Sequence, residues 1–194
     1  MGVEIERKFT VKELPKELES YPYHEIEQAY LNVSPAIRVR KEDDTYYMTY
    51  KCKTFFPGKG GDSLPSGNES RDIAGAEGNI GQTEYNMPLD KASYEHLRAK
   101  ADGNIITKKR YLIPLNEDAF DKDSLPAGIS GMAGSSMKIE LDVFQGVFEG
   151  RILAEVEFPS EEAAKAYKPA DWFDSDVTGD IRYSNSHMST EGIL

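Results

Sequence analysis

Residues 3–9 read Val-Glu-Ile-Glu-Arg-Lys-Phe, an alternation of charged and apolar side chains close to the amino terminus. In an extended chain successive side chains point to opposite faces, so Glu4, Glu6 and Lys8 share one face. Apolar side chains dominate the other face. The pattern predicts a strand with one face that carries only ionisable groups.

The same two-residue period recurs too often for a helical protein and predicts a strand-rich fold. The further predicted strands cover residues 29–33, 36–41, 46–53, 82–87, 106–113, 137–144 and 152–158.

Two helices are predicted to interrupt the strands. The first follows Asp90 as N-cap and ends before Gly103 as the C′ residue, and the second runs from Ser160 through Tyr167. The apolar face of the first helix consists of Tyr94, Leu97 and Ala101. A short helical turn is predicted near residues 15–20.

Length and composition fit a single domain that spans residues 1–194. Two aperiodic segments rich in Gly, Ser, Pro and Asp, at 54–80 and 116–136, predict long loops. The single Cys52 excludes an intrachain disulfide.

Charge and motifs exclude several classes of function. A formal net charge of −11 disfavours non-specific binding to nucleic acid or anionic membranes. No phosphate-binding P-loop pattern and no His-Glu-x-x-His zinc pattern occurs. No secretory signal is recognised and no apolar run approaches the roughly twenty residues of a membrane span, so we expect a cytoplasmic protein.

Cations and carboxylates are segregated between the predicted strands. Two strands pair only cations on their polar face, two pair only carboxylates, and the first carries both. The paired positions are Arg38 with Arg40, Lys108 with Arg110, Glu140 with Asp142, and Glu155 with Glu157. An antiparallel sandwich with these faces in water is one interpretation. The other is a barrel with the charges inside.

A charged barrel interior would hold water and a ligand instead of an apolar core. Buried cations need anions, and clustered carboxylates need metal ions or raised pKa values. A polyphosphate with divalent metals meets both demands. Because the ligands offered are oxygens alone, Mg²⁺ or Mn²⁺ is expected in preference to zinc.

The order of these motifs resembles the CYTH, or triphosphate tunnel metalloenzyme, family over nearly the whole chain. Its opening Glu-x-Glu-x-Lys strand is similar to residues 4–8. The other similar segments, in order, are Arg38-Val39-Arg40, Lys51, Lys108-Lys109-Arg110-Tyr111, Glu140-Leu141-Asp142-Val143-Phe144, Ala154-Glu155-Val156-Glu157 and the closing stretch from Gly179 to Asn185.

The resemblance implies an α+β, mainly β fold: an eight-stranded antiparallel closed barrel, or tunnel, with a few peripheral helices. It implies metal ligands at Glu4, Glu6, Asp142, Glu155 and Glu157. It implies a phosphate clamp of Lys8, Arg38, Arg40, Lys51, Lys108, Arg110 and Arg182. Lys8 and Glu6 are the expected catalytic residues, and Glu84 and Glu140 are expected to support the site.

The leading hypothesis is divalent-metal-dependent hydrolysis of a phosphoanhydride in inorganic triphosphate, by in-line attack of a metal-activated water. The proton acceptor is left open between Lys8 and a neighbouring glutamate. Thiamine triphosphatase or general nucleoside triphosphatase activity is a close variant. The partner expected is a triphosphate or nucleoside triphosphate, with homodimer formation left open, and neither nucleic acid nor membrane.

Two alternatives remain open at this stage. A class IV adenylyl cyclase would make cyclic AMP and pyrophosphate from ATP in the same clamp. A non-catalytic polyphosphate-binding module would hold its ligand without turnover. Family strands of the Arg-x-Glu-x-Glu type correspond here to residues 82–86, which retain only the middle acid, Glu84.

Overall fold

The fold was analysed in a computed structural model that describes residues 2–53, 81–121 and 137–191. The predicted loop at 54–80 lies outside the described residues, as do residues 122–136 of the second predicted loop. Within the described segments, no helix has both the length and the apolar character needed to cross a membrane.

All eight predicted strands are present, and a ninth follows near the carboxyl end. Their bounds are β1 Gly2–Val11, β2 Tyr23–Val33, β3 Ala36–Glu42, β4 Thr45–Lys53, β5 Gly81–Leu89, β6 Ile106–Pro114, β7 Lys138–Gln145, β8 Ile152–Phe158 and β9 Phe173–Asp176. The prediction placed the start of β2 six residues late, because the charged residues at 24–27 obscure its period. The first half of β2 is extended because it pairs with β6.

Three short α-helices accompany the strands: α1 Lys91–Arg98, α2 Glu161–Ala166 and α3 Asn185–Thr190. Asp90 caps α1 as predicted, since its side chain accepts a hydrogen bond from the backbone N–H of Ser93 at 2.7 Å. The helix ends at Arg98, earlier than predicted, although Gly103 does have the left-handed φ of 86° that a reversal requires.

The second predicted helix is confirmed as α2, and the predicted turn near 15–20 is a 3-10 helix at Leu18–Ser20. The sequence analysis did not predict α3. Two further 3-10 helices span Gly146–Phe148 and Ile181–Tyr183.

The strands form one antiparallel sheet in the order β5-β4-β3-β2-β6-β7-β8-β1-β9. β1 also pairs with β5, from Gly2 opposite Glu84 to Ile5 opposite Gly81, so β1 to β8 form a ring of pairings. The predicted fold class, α+β and mainly β, is confirmed.

Apolar side chains pack both outside and inside the ring. Outside, Phe9 stacks on Phe173 with ring centroids 4.6 Å apart, within a cluster that also covers α2. Inside, one apolar cluster includes Met188 of α3 and fills part of the interior. Its buried members are Tyr30, Ile106, Phe144, Phe148, Leu153 and Met188. The charged residues therefore occupy only the remaining part of the interior.

Met188→Ala should lower the free energy of unfolding by about 3 kcal/mol, because Met188 is fully buried and truncation leaves a cavity in this cluster. Urea denaturation followed by circular dichroism measures the change. Val147→Ala is the control, since Val147 is 73% exposed, and it should change stability little. Equal stability losses for the two variants would contradict the packing described here.

Candidate active site

A polar cavity of about 150 Å³ lies inside the ring of strands. Most of the sequence-predicted site residues line it: Glu4, Glu6, Lys8, Arg38, Arg40, Lys51, Glu84, Arg110, Glu155 and Glu157. A second cavity of about 570 Å³ shares Arg40, Arg110 and Glu157 with the first and adds Glu140. The charged faces therefore point inward, and the alternative of an open sandwich with these faces in water is wrong.

Strand register brings residues that are distant in sequence into contact at the cavity. Between β1 and β8, Glu6 lies opposite Glu157 and Lys8 opposite Glu155. Between β2 and β3, Gln28 lies opposite Arg40. Because all these positions share the inward face, their charges meet within the ring.

Arg110 is held by three carboxylates. Its Nε and Nη2 each donate to Asp142 at 2.7 Å, Nη2 also donates to Glu155 at 2.6 Å, and Nη1 donates to Glu140. Burial alone would lower the pKa of Arg110, but Asp142 and Glu155 outweigh it and raise that pKa well above its usual value. The guanidinium is neutralised by protein groups.

Lys108 and Asp142 form a fully buried ion pair and do not line the cavity. The sequence prediction assigned Lys108 to the phosphate clamp and Asp142 to a metal. The structure instead places both behind Arg110, because Asp142 accepts hydrogen bonds from Arg110 and Lys108. Their position is one of support to the cavity wall.

Glu155 lies between two cations. Lys8 Nζ is 2.9 Å from its Oε1, and Arg110 Nη2 contacts its Oε2. Burial raises the pKa of Glu155, but Lys8 and Arg110 outweigh that effect and hold it well below the usual value. A carboxylate already neutralised in this way is a weaker candidate for metal binding than its neighbours.

Glu4, Glu6 and Glu157 form the acidic side of the cavity. Burial and the charge of Glu155 raise the pKa of Glu6. Burial, followed by repulsion from Glu140 and from Glu4, raises the pKa of Glu157 to about 7. These carboxylates repel one another, and a bound cation would relieve that repulsion.

The donor set fits a hard divalent cation, because crowded carboxylate oxygens are the ligands that Mg²⁺ or Mn²⁺ takes. Oε2 of Glu4 is buried without a hydrogen-bond partner, although Lys51 forms an ion pair with it. Among the described residues, no three His, Cys, Asp or Glu side chains are already arranged as a metal centre. The carboxylates would thus have to turn toward an ion.

Arg38 and Arg40 form the cationic side, and they are paired far less than Arg110. The nearest carboxylate oxygens within the described chain are 3.9 Å from Arg38, on Glu84, and 3.8 Å from Arg40, on Glu42. Burial, and then the neighbouring charge of Arg38, lower the pKa of Arg40. Two adjacent buried guanidiniums thus carry charge that the surrounding protein compensates only weakly.

The structure does not bring Arg182 to this cavity. Its side chain is 73% exposed and is paired with Asp180. Arg182 borders a separate surface pocket, next to Arg151 and Glu191. The sequence analysis expected it in the clamp because it lies in a segment similar to the family's closing motif.

Sequence reasoning missed the neutral residues of the site. Tyr30, Ala36 and residues 184–186 line the cavity, and Gln28 and Tyr47 bind Arg40. The search followed segregated charge, and these residues carry none. The strand period does place Gln28 on the inward face, next to Arg40, and that is the signal that could have found it.

Comparison with known proteins agrees with this geometry. No family model matches the chain. The chain is 31% identical over 190 residues to the inorganic triphosphatase of Nitrosomonas europaea, covering 96% of each sequence. It is 28% identical to the inorganic triphosphatase of Acetivibrio thermocellus, covering 97% of this chain and 94% of that one. A solved structure described as an inorganic triphosphatase superposes with a TM-score of 0.57 at 27% identity, covering 97% and 95% of the two chains.

The ring of antiparallel strands with an ionic interior defines a tunnel-type phosphate-processing fold. With these full-length relatives, the chain belongs to the CYTH, or triphosphate tunnel metalloenzyme, family, on the inorganic triphosphatase side.

Metal-free protein should lose stability through Glu157 as the pH rises. The folded state holds the Glu157 proton up to a pH of about 7, whereas an unfolded glutamate titrates near pH 4.3, so the proton's stabilising effect is present below the unfolded pKa and lost through pH 7. Glu157→Gln, which mimics the protonated form, should therefore gain stability relative to wild type more at pH 8 than at pH 5.

Urea unfolding in chelator at the two pH values measures this difference. Glu149→Gln is the control, because Glu149 is an exposed glutamate outside both cavities. A Glu157→Gln effect that is the same at pH 5 and pH 8 would disprove the assignment.

Proposed function

We propose that this protein hydrolyses inorganic triphosphate to pyrophosphate and orthophosphate with the help of a divalent cation. The observation that carries the proposal is the polarity of the cavity. Two weakly paired arginines face three mutually repelling glutamates across about 150 Å³. A small polyanion that brings cations with it satisfies both sides at once.

On the cationic side, Arg38 and Arg40 would bind the phosphate oxygens. Arginine binds such oxygens through paired N–H groups, and in a water-poor cavity these contacts are stronger than in bulk water. Lys51 and Lys8 lie on the same lining, and each is already paired with a glutamate. They would add charge stabilisation as the oxygens gain negative charge during displacement.

On the acidic side, Glu4, Glu6 and Glu157 would hold the divalent cation. When bound, Mg²⁺ or Mn²⁺ would neutralise phosphate charge and activate the attacking water. The reaction adds that water to the terminal phosphorus and breaks the bridging P–O bond, so one orthophosphate and one pyrophosphate leave.

The contacts of Lys8 bear on which group accepts the water's proton. Lys8 is buried, which lowers its pKa, but Glu155 and Glu6 outweigh burial and raise that pKa above its usual value. An ammonium held in this way already carries its proton at neutral pH. The proton would therefore pass to a glutamate of the acidic side, and Lys8 would stabilise charge.

The direct test is product analysis. Purified protein is incubated with inorganic triphosphate, and separately with ATP, each with Mg²⁺ or Mn²⁺, and the products are separated by ion-exchange chromatography. Orthophosphate and pyrophosphate in equal amounts from triphosphate are expected. Cyclic AMP from ATP would favour a cyclase instead, and triphosphate binding without release would favour a binding module.

Glu6→Gln should lower metal-dependent turnover by about 100-fold or more, because it removes a charged ligand from the acidic side. Phosphate release at saturating Mg²⁺ measures the loss, and thermal unfolding checks the fold. Glu117→Gln, an exposed glutamate far from the strands of the site, should retain wild-type turnover. Activity of Glu6→Gln within twofold of wild type would refute its role.

Arg40→Ala should raise the KM for triphosphate by on the order of 30-fold, since one charge-assisted contact contributes about 2 kcal/mol. Arg182→Ala should leave KM unchanged, because the structure places Arg182 at the surface. Initial rates over a range of triphosphate concentrations decide between them. The reverse ranking of the two variants would return Arg182 to the clamp and remove Arg40.

A further inference from the structure

Gln28 is a fully buried polar residue on the inward face of β2, directly opposite Arg40 of β3. Its Oε1 accepts two hydrogen bonds from Arg40, from Nε at 3.2 Å and from Nη2 at 3.0 Å. One neutral oxygen thus binds the whole side edge of the guanidinium. Both residues are buried, so solvent does not compete strongly for these contacts.

Tyr47 completes the orientation of Arg40. Nη1 of Arg40 donates to the Tyr47 hydroxyl at 3.1 Å, and that hydroxyl donates to Glu42 at 2.5 Å. The tyrosine therefore lies between the guanidinium and its nearest carboxylate, which is 3.8 Å away. Arg40 is oriented by a neutral amide and a neutral phenol.

These contacts use three of the five N–H groups that an arginine carries. Among the described residues, no partner is found for one N–H on Nη1 and one on Nη2. These two groups form the end edge of the planar guanidinium, which is the edge that binds two oxygens of a phosphate in parallel. Arg40 lines the cavity.

Arg110 shows the opposite arrangement in the same cavity. It donates to three carboxylates, so its charge is balanced by the protein and its N–H groups are occupied. If a glutamate stood at position 28, Arg40 would be paired in the same way. The choice of an amide over a carboxylate at this position therefore decides whether the charge of Arg40 is available to an anion.

We infer that Gln28 is a positioning residue that aims Arg40 at a substrate phosphate group while leaving its positive charge uncompensated. Tyr47 assists by separating Arg40 from Glu42. The inference rests on the proposed function, because the anion it serves is the triphosphate. It assigns to a neutral residue the control of substrate affinity, which the charged lining alone does not explain.

The test is calorimetric titration of the full-length protein with inorganic triphosphate in chelator, where no metal contributes and no turnover occurs. Gln28→Glu nearly preserves the shape of the side chain and should raise the Kd at least tenfold, because the new carboxylate takes the charge of Arg40. Gln145→Glu is the matched control. It makes the same charge change at an exposed residue at the end of β7 and should leave the Kd unchanged.

Gln28→Met provides a second measurement that adds no buried charge. It removes the oxygen that orients Arg40, so we expect a Kd raised about fivefold and, in steady-state assays with Mg²⁺, a KM raised more than kcat is lowered. If Gln28→Glu does not fold, as judged by thermal unfolding, Gln28→Met alone decides. A merely structural role would lower the melting temperature and leave Kd and KM unchanged.

The outcomes separate this inference from the proposed function. Wild-type protein that neither binds nor hydrolyses triphosphate would overturn the proposed function. Wild-type protein that binds triphosphate, with Gln28→Glu or Gln28→Met binding equally well, would overturn only the role of Gln28. A parallel loss of affinity in Gln145→Glu would also overturn it, because overall charge would then explain the effect.

Discussion

The balance of charge inside the ring of strands is the constraint on which this structure depends. Water cannot fully solvate ions in so narrow an interior, so each buried charge needs a partner there. One half of the lining meets this need internally, through the chain of contacts from Lys108 to Asp142, Arg110, Glu155 and Lys8. The other half, around Arg38 and Arg40, does not. That imbalance is what makes the cavity a binding site for an anion.

The internally balanced half also explains why similar residues have different positions in the structure. Arg40 and Arg110 both line the cavity and both come from charged pairs in the sequence. Carboxylates bind Arg110, whereas an amide and a phenol bind Arg40. The cations of the lining therefore divide into one group that holds the wall together and another that faces the ligand.

Much of the fold could be predicted from the sequence because period-2 alternation is strong in strands with one charged face. All eight predicted strands occur, and the inward direction of Glu4, Glu6 and Lys8 follows from β1 alone. β9 was missed because its four residues are mostly polar and depend on the end of β1 for pairing. Met188 of α3 was missed because its packing partners come from distant strands.

The site was predicted less completely than the fold, for a physical reason. Charge type and strand face place a residue on the lining, but they do not say which partner it meets. Asp142 and Glu157 are both inward carboxylates, yet Asp142 is sealed behind Arg110 while Glu157 borders both cavities. That distinction depends on how far along the barrel each residue lies, and register sets this only once the strands have paired.

The seam between β1 and β5 has a consequence for how the molecule holds its shape. β1 and β5 meet over four residue pairs, whereas β6 and β7 meet over eight, because the far end of β1 is taken by β9. Across this short seam, Lys51 of β4 forms an ion pair with Glu4 of β1. The same carboxylate thus serves as a rivet for the barrel wall and as part of the acidic side, so mechanical closure and ligand chemistry share one side chain.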